Sequence, residues 1–93
     1  MTETEKDEIC ELIDQNNLDK AVVRIEQLLK VEENSADLHF LFGQIFQKRE
    51  EWGRAINQFQ RVIELNPKYP GAQNQIDMAR SILGFYNPDL MNP

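Results

Sequence analysis

Apolar residues in the middle of the chain recur by threes and fours. Leu38, Phe42, Ile45 and Phe46 fall on one helical face, and Ile56, Phe59 and Ile63, with Val62 and Ala55, on the next. This spacing predicts two helices joined by a short turn. Gly43 and Ala55 are the small residues within those faces. A minimal side chain on each lets the backbones approach toward the close end of the roughly 8–10 Å axis separations of packed helices. Gly43 costs about 1 kcal/mol of helix propensity against Ala, and close packing is what offsets that cost. Asn66-Pro67 ends the second helix, because the residue before a proline is pushed out of helical geometry.

The same pattern recurs upstream. Ala21, Ile25, Leu28 and Leu29 precede Ala55, Phe59, Val62 and Ile63 by one constant offset, and Leu18 precedes Trp52 by the same one. Without a gap, the first helix of this copy sets Glu8 opposite Phe42. Deleting one residue from the turn between its helices brings Ile9-Cys10-Glu11-Leu12-Ile13 against Phe42-Gly43-Gln44-Ile45-Phe46, apolar on apolar and Cys10 on Gly43. The gapped register is the expected one. Thr4 with Asp7 and Glu8 is expected to cap the first helix, and Ser35 with Asp37 the third. A fifth helix follows: Pro70 suits its first turn, Ala72, Ile76, Ala79 and Leu83 mark its apolar stripe, and Gly84 is its expected stop. No run alternates apolar and polar residues long enough to compete as a strand.

The motif His39-x-x-Phe42-Gly43-x-x-Phe46, then Ala55-x-x-x-Phe59, then Pro67 resembles the tetratricopeptide repeat, and the offset between the two copies equals that repeat's length. The resemblance covers residues from about 4 to 84. It implies an all-α fold, an α-α superhelix of antiparallel helical hairpins with five helices in one domain over residues 1–93. Repeat one would span about 4–34, repeat two 36–69, a capping helix 70–84 and a tail 85–93. Repeat one departs from the family in carrying Glu33 where repeat two has Pro67, so its turn toward repeat two is less firmly specified. Two repeats and a cap are fewer than the three usually needed for stability. Phe40, Phe42, Phe46, Trp52 and Phe59 each bury a large area and help make up the difference.

In tetratricopeptide proteins the first helix of each repeat lines a concave face that commonly holds a peptide. Carried over residue by residue in the gapped register, that face comprises Asp7, Glu11 and Asp14 from repeat one. Repeat two supplies Phe40, Gln44, Gln47 and Lys48, and the last helix Asn74 and Met78. Phe40 lies off the Phe42/Phe46 face, so it is either an exposed aromatic anchor or a residue packed against repeat one. Family members that grip acidic chaperone tails use a clamp of Lys, Asn and Arg here. This chain has Asp7 and Glu11 at the sites in repeat one, or Lys6 and Cys10 in the ungapped register, and Gly71 and Gln75 on the last helix. The clamp is broken in either register, and the expected ligand is a protein or peptide segment that is basic, or apolar with a basic flank.

Charge and composition narrow the classes. Seven acids against Lys6 put −6 between Met1 and Asp19, and residues 20 to 93 hold nine acids and nine bases. Phosphate backbones and anionic membrane surfaces attract the opposite sign, so neither is expected as a partner. A solvated acidic face is the plainer account of that charge. The N-terminus lacks the features of a secretory signal, no apolar run approaches the ~20 residues that span a bilayer, and Cys10 has no second cysteine to pair with. Together these point to a cytoplasmic setting.

Catalytic chemistry has little support. Cys10 reads as a small packing residue and His39 as part of a helix seam. One Cys and one His do not complete a tetrahedral zinc site. The four glycines are scattered, with no phosphate loop. No cofactor is implied, and the chain is read as a non-enzyme. The tail residues Phe85, Tyr86, Leu90 and Met91 are unusually apolar for a terminus. Three uses compete: a plug folded over the last helix or groove, a contact that makes a homodimer, or a free end. Two functions follow, an adaptor that holds a peptide on its concave face, or a self-associating structural module built on the tail and the exposed helical ends.

Overall fold

The computed structural model describes residues 1–86. The fold is all-helical: α1 Glu3–Asp14, α2 Leu18–Leu29, α3 Ala36–Lys48, α4 Trp52–Leu65 and α5 Ala72–Tyr86. Each helix packs on the one before it, and α1 also meets α3. The largest interface joins α3 and α4.

The core follows the apolar faces. Leu38, Leu41, Ile45 and Phe46 of α3 are buried, as are Ala55, Phe59 and Val62 of α4 and Ala72, Ile76 and Ala79 of α5. Ile9, Ile13, Ala21 and Ile25 bury the first hairpin against α3. Gly43 makes room for a ring. A Cβ there would lie 2.7 Å from Phe59 Cε1 and 2.8 Å from Cζ, inside any real contact. Phe42 stacks on Phe46 with centroids 4.7 Å apart, and the Arg54 guanidinium lies over the Phe46 ring.

Helix ends correct two expectations. α1 is capped by Thr2, not Thr4: the Thr2 hydroxyl accepts from the Glu5 amide at 3.1 Å, and the Glu5 carboxylate accepts from the Thr2 amide at 2.8 Å. This reciprocal box satisfies two backbone donors that Thr4, already inside the helix, does not reach. Ser35 caps α3 as expected, accepting from the Leu38 amide. α5 starts at Ala72, with Pro70 and Gly71 in the preceding turn, and runs through Gly84 to Tyr86. Gly71 rather than Pro70 sets that entry, with φ +82°. The backbone of Phe85 and Tyr86 is therefore part of α5, and the expected tail contacts of Phe85, Tyr86, Leu90 and Met91 lie outside the described residues.

The register is also corrected. Asn16 and Glu50 hold positive φ of 59° and 60°. Asn16 N donates to Ile13 O and Asn17 N to Leu12 O; Glu50 N donates to Gln47 O and Glu51 N to Phe46 O. These are two copies of one helix-ending turn, with a left-handed residue closing the last carbonyls. They recur at the same offset as Ala21 and Ala55, with no deletion between them. The single-residue difference lies at the helix starts, where the caps Thr2 and Ser35 stand one position closer together than that offset. Across the turns, Cys10 therefore corresponds to Gln44 and Lys6 to Phe40.

The turn from α2 to α3, expected to be loosely specified, is tied by side chains. His39 Nε2 donates to Glu33 O at 3.0 Å, while Nδ1 lies 2.8 Å from the Gln58 side-chain amide. Arg61 Nη2 donates to Asn34 Oδ1 at 3.0 Å. His39 thus lines the α3–α4 seam, where the sequence placed it.

Candidate functional site

α1, α3 and α5 stand side by side and leave an open groove of about 330 Å³, lined by Ile13, Asp14, Gln44, Gln47, Lys48 and Met78. This volume is at the small end of the roughly 300–1,000 Å³ of ligand pockets. The periodicity that buries Ile45 and Phe46 also turns Gln44 and Gln47 about one helical step away, onto the flank that faces the groove. Its walls are held by hydrogen bonds that cross between helices. Gln47 Nε2 donates to Gln75 Oε1 at 2.6 Å, tying α3 to α5, and Lys48 Nζ donates to Ile13 O at 3.3 Å, tying α3 to the end of α1. A cation there also suits the negative end of α1. Met78 is 45% exposed and supplies an apolar surface.

Five of the nine expected site residues meet in this groove: Asp14, Gln44, Gln47, Lys48 and Met78. Asp7, Glu11 and Asn74 are exposed but do not line it. The ungapped register explains the first two, since it sets Lys6 and Cys10, both half-buried, opposite Phe40 and Gln44 and leaves Asp7 and Glu11 exposed. Phe40 is a clear correction. It is half-buried, edge-on to Phe59 with centroids 5.3 Å apart and tilted on Tyr69 at 5.0 Å. It is neither an exposed anchor nor packed on repeat one.

Tyr69 was missed altogether. It lies in the α4–α5 turn, where its hydroxyl donates to the Asp37 carboxylate in the first turn of α3. Burial first, then the Asp37 contact, pushes its phenol well above the ordinary range. An aromatic between Pro67 and Pro70 was the available signal. Cys10 is half-buried against the core cluster of Ile9, Ile13, Ala21 and Ile25, and burial pushes its thiol up. Among the described residues no group of His, Cys, Asp and Glu is placed to hold a metal ion. No helix among them is long and apolar enough to cross a membrane.

The solution NMR structure of the Bacteroides fragilis protein BF1650 superposes with a TM-score of 0.84, at 33% sequence identity, over 99% of this chain and 91% of that one. This chain belongs to the same family as BF1650. The likeness to BF1650 spans α1, α3 and α5, so the family's shared length includes every helix that forms the groove. No family model matches the chain, and no curated protein matches it.

Proposed function

We propose that this chain is a small tetratricopeptide-type adaptor, and that the groove between α1, α3 and α5 holds a peptide segment of a partner protein. One observation carries the reading: residues that the repeat motif assigns to a ligand face, from three separate helices, line one open groove. The groove suits an extended chain. Gln44 offers an amide donor and acceptor to a main chain, Ile13 and Met78 offer apolar contact, and the cross-helix hydrogen bonds fix the walls beforehand, which lowers the ordering cost of binding. Panning a random peptide library against the purified protein tests this. A selected peptide should lose most of its affinity for Gln44→Ala/Met78→Ala and keep it for Val23→Ser on the far side. The opposite pattern would remove the groove from the account.

A second surface favours the self-associating alternative. Leu12 and Val23 floor a groove of about 370 Å³ between α1 and α2, rimmed by Glu8, Asp19, Lys20 and Arg24. Val23 is 55% exposed there. Sedimentation at several concentrations, with Val23→Glu beside the natural chain, tests it: a monomer at every concentration removes this reading.

A further inference from the structure

The groove opens onto an apolar track along α5. Met78, 45% exposed at its edge, and the half-buried Ile82 stand four residues apart and so share one helical face. That face runs from the groove toward the end of α5 at Tyr86. Among the lining residues Asp14 and Lys48 balance each other in charge, so apolar fit and reach, not charge, pick out an occupant. The chain carries a match in residues 87–93, outside the described residues, where Pro88 precedes Leu90 and Met91.

Resting on the peptide-binding reading above, we propose that residues 87–93 turn back along α5 and lay Leu90 and Met91 over Met78 and Ile13, so that a partner peptide must displace them. Reach supports this. Met78 lies eight residues before Tyr86, which is about 12 Å along a helix. An extended chain spans at most about 3.3–3.6 Å per residue, so the four residues from Asn87 to Leu90 cover about 13–14 Å. Leu90 and Met91 therefore draw level with Met78 once the chain has turned. Pro88 has no amide proton to continue α5, and it pushes Asn87 out of helical geometry, so the reversal starts where the reach requires it.

The other grooves suit the segment less. The one between α4 and α5 lies among Gln60, Glu64, Gln73 and Arg80, and its Ile76 is only 2% exposed. The one between α1 and α2 includes no residue of α5. The tether sets the strength of the contact. A segment held this close is present at an effective concentration on the order of millimolar, so two apolar side chains compete with a free peptide. Filling the groove in about four molecules of five lowers the apparent affinity for a peptide about fivefold.

Methyl NMR of the natural chain beside Leu90→Ser/Met91→Ser tests the contact. The natural chain should show NOEs from the Leu90 and Met91 methyls to the Met78 methyl and Ile13, and the variant should shift the amide signals of Gln44 and Gln47. Absent NOEs with unmoved amides would overturn the proposal. In a mixture of labelled and unlabelled chains, NOEs between the two would assign the place to a second copy and overturn it as well. A peptide panned against the variant should bind it about fivefold tighter than it binds the natural chain. Equal binding that still depends on Gln44 and Met78 would overturn the proposal and leave the groove a peptide site. NOEs within one chain, with no peptide selected, would uphold the contact and remove the peptide-binding reading instead.

Discussion

Replacing Gly43 with Ala sets two known effects against each other, and the structure says which wins. Alanine raises helix propensity by about 1 kcal/mol in a helix interior. Its Cβ, however, would stand 2.7, 2.8 and 3.0 Å from three carbons of the Phe59 ring, where carbon contacts are comfortable at about 3.5–4.0 Å. The ring is fully buried and cannot swing to solvent. It backs onto Phe40, which in turn rests on Tyr69, so yielding pushes a chain of aromatics. Overpacking of this kind costs about 1–3 kcal/mol, and at a contact this short the upper part of that range applies. The net effect is a loss of roughly 1–2 kcal/mol, or a fall in Tm of at least about 4–8 °C for a domain of this size. Urea unfolding followed by circular dichroism should show a lower midpoint at unchanged slope. Gly53→Ala is the internal control. Nothing lies within 4 Å of its Cβ, so the same substitution should stabilise there. Adding Phe59→Leu to Gly43→Ala should cost less than the two single losses together, because the pair shares one contact. Gly43→Ala unfolding at or above the natural midpoint would refute the close-packing argument.

Three further outcomes follow. Thr2→Ala should cost about 1 kcal/mol by removing the α1 cap, whereas Thr4→Ala should leave the urea midpoint unchanged. Glu50→Gly should stabilise by up to about 1 kcal/mol, since a non-glycine residue with φ of 60° carries strain, and a lower melting temperature would contradict this. Tyr69 has its phenol pKa raised in the fold, so its contribution is complete below the unfolded value near 10 and is lost as pH rises above it. Stability should therefore fall between about pH 10 and 12, and the fall should shrink in Tyr69→Phe.

Five helices were legible because each buries a stripe of period 3.6, and the α3–α4 pair doubly so through Gly43. What was misread depended on information that a single helix does not hold. Matching polarity placed the register slip in the turn, because a gap there sets Ile9-Cys10-Glu11-Leu12-Ile13 against Phe42-Gly43-Gln44-Ile45-Phe46. The hydrogen-bond pattern of both turns shows them equivalent, so the slip belongs at the caps. Phe40 looked like an anchor since its spacing takes it off the main face, yet Tyr69, beyond the end of the next helix, covers it. Of the residues expected on α3 and α5, Gln44, Gln47, Lys48 and Met78 reach the groove through helical phase, whereas Phe40 and Asn74 do not. On α1 that phase was off by one residue, about 100° of rotation, which left Asp14 as the one expected α1 residue lining the groove.

Isotope-edited NMR of the natural chain with a peptide selected from the library tests the central claim most directly. Intermolecular NOEs should connect the peptide's apolar side chains to the Met78 methyl and the Ile13 side chain, with the amide signals of Gln44 and Gln47 shifting as peptide is added. NOEs that run instead to Val23 and Leu12, on the α1–α2 side, would contradict it.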